Sequence, residues 1–591
     1  MSDGVGLVGR SARALFAGQF VIAYVALRRS AVVFDPPWVW LGLAASGVLW
    51  WSLAGARRPV RGAAVIVAAL LTVTQLGFFR FYHVFYGPDA AGAARFMWGD
   101  TKPMLLRIAP WLALASVALA ATFWLALRRA PVDASRSARA AAPLGATILA
   151  LTFVLAGGGP PDASAVAGFA RFAMPKKSAT TQAIVVPTVR PARRPAAVLL
   201  ILNESIRASD YCDAPGPDCA VAPKTAAATA DRVVFHEARA VASYTALSVS
   251  ALFTGHLPID GQKVLVESPM VFDLVRSMSY QDGTRPTVHY VSAQTDSFFD
   301  RTDLRSVVDT YVTVADLVGH PVDDIDDVID QGTDRLLADR AETELAKLRP
   351  PFLFVAHLGG THAPYFVDDR TAPFKPYTHA TMWSGLDQLH AAYKDAIYTQ
   401  DESVARIVAA FEKAAGDAPS LVLFTSDHGE AFGEHYAIHH GQDLYDEQIH
   451  VPLFAVLERD DRRAALASHE HQYLTHLDVL PTILDMFGTH GSFELHAIES
   501  RLLGRSLLGP FEGQGPLLAL TNCTDVFPCP VKTYGTMQGP VAFTAQPWDY
   551  GWRCVDLHDD QKALDPKSPT CDALGREAKS NFPTLPSGAS W

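Results

Sequence analysis

Five apolar runs fill the first 160 residues of the chain. They cover about residues 14–27, 38–55, 63–79, 104–127 and 141–157. A helix that crosses a bilayer needs about 20 apolar residues, and these runs reach or approach that length. The pattern predicts an α-helical membrane domain with five transmembrane helices over residues 1–160.

The pattern changes after the last of these runs. Residues 161–194 contain Pro, Ala, Ser, Thr and Arg in no periodic order, as in PTVRPARRP. Such a composition is typical of a linker. We therefore expect the linker to separate the membrane domain from the rest of the chain.

From residue 195 onward, short apolar runs end in polar residues and alternate with helical patterns. The runs are AAVLLILNES, TVHYVSAQ, PFLFVAHLGGTH, SLVLFTSDHGE and VPLFAVLE, and one helical pattern is LHAAYKDAIYTQDESVARIVAAFEKAA. Continuous apolar runs are typical of strands buried on both faces of a parallel sheet. The alternation predicts an α/β domain with a doubly wound, mostly parallel sheet over residues 195–515. Residues 516–591 are predicted to form a small β-rich C-terminal extension of that domain.

Composition and charge divide the chain at the same place. Hydrophobic residues make up 49% of the chain, which is high for a soluble enzyme. Residues 1–195 carry 21 Lys and Arg against 6 Asp and Glu, whereas the remainder carries 29 against 55. The acidic character of residues 196–591 argues against nucleic acid as a partner.

Arginine placement predicts the orientation in the membrane. Arginines cluster between runs two and three, at residues 57–61, and between runs four and five, at residues 128–139. Positive loops stay in the cytoplasm, so everything after residue 160 is expected outside, although Arg28 and Arg29 oppose this assignment. The spans contain almost no ionisable residue, which favours an anchor over a transporter. The outer loop at residues 81–100 is either a substrate-docking segment or a simple aromatic belt.

The cysteines support an oxidising compartment for the acidic part. All six lie there: Cys212, Cys219, Cys523, Cys529, Cys554 and Cys571. Their even number and short spacings predict three local disulfides, with Cys212 paired to Cys219 and Cys523 paired to Cys529. The alternative is six free thiols.

Candidate metal ligands follow the predicted strands. Ligands of doubly wound sheets bind beyond the carboxyl ends of the strands. The polar residues at those ends are Glu204, His362, Asp427 and His428. Carboxylates and imidazoles together favour Zn²⁺, with Mn²⁺ as the rival.

A candidate nucleophile begins a short helix. SYTALSVSALFTGHLP predicts a loop that turns into a helix ending at Gly255, with Thr245 at its start. The helix N-terminus favours a phosphate or an alkoxide there, and an adjacent metal lowers the pKa of the hydroxyl. The alternatives are that Thr245 only caps the helix, or that Ser248, one turn further on, is the nucleophile.

The order of motifs resembles a known family. NESIR, YTALSVSALFTG, THAPY and SDHGEAFGEHYAIHHG follow one another as in the sulfatase-like branch of the alkaline phosphatase superfamily. With five spans in front, the layout is similar to membrane-anchored phosphoethanolamine transferases and lipoteichoic acid synthases. Type I sulfatases carry Cys or Ser followed by Pro or Ala and then Arg at the nucleophile. Residues 245–249 here read TALSV, which argues against sulfatase chemistry.

The resemblance implies roles for six residues. The expected metal ligands are Glu204, Thr245, Asp427 and His428, with Thr245 also the catalytic nucleophile. His362 and His440 are expected to bind substrate, and His439 is the fallback for His440.

The implied activity is a metal-dependent transfer at the inner (plasma) membrane, with the catalytic domain periplasmic or extracellular. A multi-pass enzyme would move phosphoethanolamine or phosphoglycerol from a membrane phospholipid to an envelope glycolipid or glycan, through phospho-Thr245. Two alternatives stay open: a sulfatase-like hydrolase with the same site, and a catalytically inactive sensor or scaffold.

Overall fold

The computed structural model describes most of residues 2–582. The residues left out within that range are 29–36, 83, 97, 129, 131, 133–135, 157–158, 175–183, 213–218, 258–266, 296–303, 323–327, 382, 512–514, 516, 524–531, 547–550, 560 and 566.

The N-terminal part is helical. Its helices are α1 (Ser2–Arg28), α2 (Pro37–Ala54), α3 (Arg58–Tyr82), α4 (Pro88–Phe96), α5 (Trp98–Leu127), α6 (Arg136–Ala156) and α7 (Pro161–Ala173). Each of the five predicted apolar runs lies almost entirely within one long helix. Helix α2 packs against α1 and α6, and α3 packs against α5.

In the described part of the chain, two helical segments are long and apolar enough to cross a membrane. They are Arg58–Arg80 in α3 and Leu105–Leu127 in α5. The prediction of five transmembrane helices is therefore not confirmed. In an 18-residue apolar window of this α5 stretch no residue is buried, and Trp111 is 72% exposed. A core helix of a soluble protein would bury that face, so lipid is the natural surrounding of α5.

The predicted linker begins with helix α7, which the sequence pattern did not indicate. Helix α7 buries small residues such as Ala165 and Gly168 against its neighbours α3 and α4. A Cβ on Gly168 would lie 2.7 Å from Tyr86 Cε1, so glycine permits this close packing. Tertiary packing stabilises a helix that has little local signal of its own.

The second part contains strands and helices in alternation. The strands are β1 (Ala197–Asn203), β2 (Val233–Phe235), β3 (Ala238–Arg239), β4 (Thr287–Ser292), β5 (Thr310–Val312), β6 (Phe352–His357), β7 (Ser420–Ser426), β8 (Ala431–Phe432), β9 (Ile438–His439), β10 (Leu453–Glu458), β11 (Leu474–Thr475), β12 (Leu518–Thr521), β13 (Tyr534–Gln538), β14 (Val541–Gln546), β15 (Gly551–Asp556) and β16 (Lys562–Ala563). The helices are α8 (Pro223–Ala228), α9 (Thr245–Thr254), α10 (Val271–Arg276), α11 (Leu304–Val307), α12 (Val314–Val318), α13 (Thr333–Leu345), α14 (Leu386–Ala415), α15 (Asp446–Ile449), α16 (Arg463–Ala467), α17 (Val479–Phe487), α18 (His496–Glu499) and α19 (Pro569–Asn581).

A seven-stranded sheet in the order β2-β10-β7-β1-β6-β4-β5 forms the centre of this part. Strand β1 is parallel to both β6 and β7, and its side chains are buried on both faces. The prediction of a mostly parallel α/β sheet is confirmed. The run VPLFAVLE is a departure, because β10 pairs antiparallel with β7 and β2. Burial on both faces gives such a run the same apolar pattern whichever way the strand points.

The C-terminal extension is β-rich, as expected. Strands β12 to β16 form an antiparallel sheet, and α19 packs against β13 and β14. Disulfides join Cys212 to Cys219 and Cys554 to Cys571. Cys523 is also disulfide-bonded. The predicted partner, Cys529, lies outside the described residues, so that pairing stays a prediction.

Candidate active site

Strand register brings two acidic residues together at the carboxyl edge of the sheet. Asn203 of β1 is aligned with Ser426 of β7, so Glu204 and Asp427 leave the sheet side by side. Both carboxylates are fully buried. Ser205, the residue after Glu204, has a φ of 56° and donates its N–H to Asp427 Oδ1 over 2.9 Å. A non-glycine residue in the left-handed region is strained, and such strain is often found at functional sites.

Thr245 is the first residue of helix α9. The N-cap is Tyr244, and its side chain makes no capping bond. The helix ends at Gly255, which has a φ of 69°. The prediction that this segment is a helix starting at Thr245 is confirmed. The simple capping alternative does not hold, since Thr245 stands one position inside the helix.

The Thr245 hydroxyl points into the pair of strand ends. Its Oγ1 lies 3.1 Å from His428 Nε2 and 3.3 Å from Glu204 Oε1. His428 Nδ1 lies 2.9 Å from the carbonyl oxygen of Gly429, so Nδ1 carries the proton and donates it there. Burial, followed by the nearby His440, holds the pKa of His428 well below its usual range. Nε2 of the neutral ring therefore presents a lone pair to the Thr245 hydroxyl.

Asp427 has one satisfied and one open oxygen. Oδ1 accepts the N–H groups of Ser205 and of His428, at 2.9 and 2.8 Å. Among the described residues, Oδ2 has no hydrogen-bond donor, and it lies 3.3 Å from His428 Nε2. Burial and the adjacent Glu204 raise the pKa of Asp427 well above its usual range. A buried, unpaired carboxylate oxygen of this kind is suited to a cation.

These residues fit a metal ion. Ligand atoms of Glu204, His428 and His440 all lie within 4.8 Å of one another. The Thr245 hydroxyl and the open oxygen of Asp427 face the same nitrogen of His428. Carboxylates and imidazoles in this proximity match the ligands that Zn²⁺ takes in proteins. This group includes His440, for which the family resemblance implied only substrate binding.

The histidines after strand β7 point in different directions. The ring centroids of His440 and His428 are 4.1 Å apart, and those of His440 and His362 are 6.0 Å apart. His439 Nε2 instead meets Thr381 Oγ1 at 3.0 Å. His440 and His362 therefore lie beside the candidate metal ligands around Thr245, and their roles stay predictions.

Glu430 was not among the predicted site residues. Its buried carboxylate accepts from Nδ1 of His439 at 2.9 Å and from Nδ1 of His440 at 3.1 Å. Burial by itself raises its pKa, but His440 and His439 hold the pKa of Glu430 well below its usual range. An ionised Glu430 therefore fixes the ring of His440. Glu430 is the last residue of the SDHGE motif, so the sequence did contain a signal that could have identified it.

Two further supporting groups come from distant segments. Gln294, after strand β4, donates Nε2 to Glu204 Oε2 over 2.9 Å. Ser248 donates to the Asp427 carbonyl and lies 2.9 Å from His476 Nδ1. Ser248 thus stabilises the backbone at the end of β7 through the carbonyl of Asp427. Gln294 stands at a strand end that the sequence identified, whereas nothing local to His476 indicated its role.

Glycine permits the backbone of this site to pack closely. A Cβ on Gly429 would lie 2.4 Å from the carbonyl oxygen of Glu447, and 3.1 Å from Arg207 Cβ. Any larger residue after His428 would displace one of these segments.

Comparison with known proteins finds similarity in the part of the chain that carries this site. Residues 196–489 match the family model described as Sulfatase. The chain is 32% identical over 111 residues to the multifunctional alkaline phosphatase superfamily protein PehA of Trinickia caryophylli, covering 18% of this chain and 21% of the relative. It is 33% identical over 96 residues to the phosphoethanolamine transferase EptA of Helicobacter pylori, covering 15% of this chain and 18% of the relative. The alignments thus span well under two thirds of these curated relatives.

A solved structure extends the likeness in fold. The integral membrane protein lipooligosaccharide phosphoethanolamine transferase A of Neisseria meningitidis aligns with a TM-score of 0.51 at 16% identity. The alignment covers 82% of this chain and 95% of that chain, so it includes part of the N-terminal helices. Residues 196–489 of the chain therefore match the Sulfatase family, and parts of the chain are similar in sequence to an alkaline phosphatase superfamily protein and to a phosphoethanolamine transferase.

Proposed function

We propose that the chain is a membrane-bound transferase that moves phosphoethanolamine or phosphoglycerol from a phospholipid to an envelope glycolipid or glycan. The observation that carries the proposal is the position of Thr245 Oγ1, 3.1 Å from His428 Nε2 and 3.3 Å from Glu204 Oε1. A hydroxyl held among potential metal ligands at a helix N-terminus is placed as a nucleophile. The relation to a phosphoethanolamine transferase of Helicobacter pylori supports the reaction class.

The transfer proceeds in two displacements. Thr245 Oγ bonds to the phosphorus of the donor, the bond to the diacylglycerol oxygen breaks, and the proton lost by Thr245 passes to diacylglycerol. An acceptor hydroxyl then bonds to phosphorus, the bond to Thr245 breaks, and the acceptor proton returns to Thr245. Backbone N–H groups of the first turn of α9 stabilise the charged phosphate oxygens.

Four side chains would hold the divalent cation: Glu204, Thr245, Asp427 and His428. Zn²⁺ suits this mixture of imidazole and oxygen ligands, with Mn²⁺ as the alternative. The cation, when bound, lowers the pKa of a coordinated hydroxyl and offsets phosphate charge. His362 and His440, beside the cluster, bind the oxygens of the transferred group.

Contacts with the N-terminal helices support a lipid donor. The Arg80 guanidinium, near the end of α3, lies 5.5 Å from the ring centroid of Trp383. Lys532 Nζ of the C-terminal extension lies 3.1 Å from Asp89 Oδ1 of α4. Both contacts are at helix ends that arginine placement assigns to the outer side. The catalytic domain would then face the outer surface of the inner membrane, where a phospholipid head group is within reach.

Mass spectrometry of the intact full-length chain tests the proposal. After incubation with phosphatidylethanolamine in mixed micelles, the wild-type chain should gain the mass of one phosphoethanolamine, mapped to Thr245. Thr245→Ala should show no adduct and no diacylglycerol release, and Thr245→Ser should retain some of both. An unmodified wild-type chain that releases no diacylglycerol from phosphatidylethanolamine, and none from phosphatidylglycerol in a parallel incubation, would reject the transferase. If the adduct forms but only free phosphoethanolamine is released, even with glycolipid and glycan acceptors present, the result would favour the hydrolase.

A further inference from the structure

The C-terminal extension reaches the loop that carries His440. The sulfatase match ends at residue 489, and the extension lies beyond it. Asn522, which follows β12, donates Nδ2 to the carbonyl oxygen of Gly441 over 2.8 Å. Thr533, which precedes β13, donates its hydroxyl to the carbonyl oxygen of Gln442 over 2.8 Å. The two residues directly after His440 are thus bound by the extension.

The donors are themselves fixed and buried. Asn522 and Thr533 both have no exposed surface. Asn522 Oδ1 accepts the backbone N–H of Thr533 over 2.7 Å, so the two side chains form one unit. Buried hydrogen bonds of this kind resist exchange with water, because an unpaired carbonyl would be left behind.

The loop needs an external support of this kind. His439, directly before His440, has a φ of 65°, which is strained for a residue with a Cβ, whereas Gly441 adopts its φ of 75° without that penalty. Strained backbone persists only where its surroundings fix it. On one side, Glu430 holds the His440 ring at 3.1 Å. The extension holds the backbone on the other side.

We propose that Asn522 and Thr533 are positioning residues that set the place of His440 for phosphate transfer. This inference rests on the proposed role of His440 in binding the transferred group. The extension then acts as part of the active-site framework, and its residues affect transfer without touching the substrate.

A matched set of threonine variants tests the proposal in the full-length chain. Thr533→Val removes the hydroxyl that binds the Gln442 carbonyl and keeps the side-chain shape, while Thr533→Ser keeps the hydroxyl. Thr536→Val is the control, because Thr536 is equally buried in the same sheet but donates to the carbonyl of Leu574. Asn522→Asp is a second probe, which keeps the acceptor for Thr533 and loses the donor to Gly441.

Hydrogen exchange of residues 438–447 is the first readout. Losing one buried hydrogen bond should speed exchange there by about threefold to tenfold in Thr533→Val and Asn522→Asp. Thr533→Ser and Thr536→Val should exchange at the wild-type rate in that segment. Equal exchange in Thr533→Val and Thr536→Val would overturn the proposal, whatever the enzyme does.

Kinetics with a fluorescent phosphatidylethanolamine in mixed micelles is the second readout. Displacing His440 should lower kcat for diacylglycerol release by about tenfold or more in Thr533→Val, with a smaller change in KM. Thr533→Ser should restore kcat, and Thr536→Val should keep it even if its melting temperature falls. Equal loss of kcat in both valine variants would show that the extension is only structural. A wild-type chain with no adduct on Thr245 would reject the proposed function, while the exchange readout would still decide the loop support.

Discussion

Replacing Ser248 with Ala separates the nucleophile from the hydroxyl nearest to it in the same helix. Ser248 is fully buried, one turn after Thr245. Its hydroxyl donates to the carbonyl of Asp427 and lies 2.9 Å from His476 Nδ1. The substitution removes these contacts and leaves Thr245 in place. We expect turnover to fall and the covalent adduct on Thr245 to remain.

The size of the stability effect follows from the acceptors left behind. Burial lowers the pKa of His476 to about 4, so its ring is neutral at pH 7. Its Nε2 donates to the carbonyl oxygen of Ser426 over 2.8 Å, which leaves Nδ1 as an acceptor. The single proton of Ser248 thus serves two buried acceptors. Leaving them unpaired costs about 1–3 kcal/mol of unfolding free energy.

Urea denaturation and intact mass provide the assay. Ser248→Ala should lower the unfolding free energy by about 1–3 kcal/mol and still carry the adduct. Thr254→Val is a matched control, because Thr254 Oγ1 donates within α9 to the carbonyl of Ser250 over 2.7 Å, away from β7. The control should leave turnover close to wild type. Loss of the adduct in Ser248→Ala, with the adduct kept in Thr245→Ala, would show that the nucleophile is Ser248, one helical turn further on.

Three further predictions follow from other parts of the chain. Asp427→Asn keeps an oxygen that accepts the two backbone N–H groups but replaces the open oxygen with an amide nitrogen. Elemental analysis should therefore find that the bound metal is lost, while circular dichroism shows that the chain is still folded. Full metal content in this variant would show that Asp427 is not a metal ligand. Burial lowers the pKa of His289 to about 4, so below about pH 6.5 the unfolded chain binds a proton at this histidine that the folded domain does not bind. His289 should therefore contribute about 3 kcal/mol to the fall in unfolding free energy from pH 7 to pH 4. His289→Gln should reduce that fall by this amount, measured by urea denaturation at both pH values. A reporter that works only outside the cytoplasm, fused after residue 195, should be active; activity of a cytoplasmic reporter at that site instead would reverse the topology.

Local signals in the sequence determined much of the α/β domain. The apolar runs that end at Asn203 and Ser426 are strands, because burial on both faces demands a continuous apolar stretch. Helix α9 starts at Thr245 and ends at Gly255, because a left-handed C-cap favours glycine. Because ligands of such sheets bind beyond the carboxyl ends of the strands, the sequence also predicts that Glu204 and Asp427 lie in one region.

Other features depended on which segments meet in space. The pattern of VPLFAVLE does not encode strand direction, and the small residues of α7 form a helix only with neighbours to pack against. Gln294, Glu430 and Asn522 reach the site across 90, 10 and 81 residues of chain from the groups that they bind. Periodicity and capping act within a few turns of chain, whereas these hydrogen bonds exist only once the sheet order and the docking of the C-terminal extension are fixed. The sequence by itself therefore determined the strands and helix α9, and the tertiary structure decided what holds them in place.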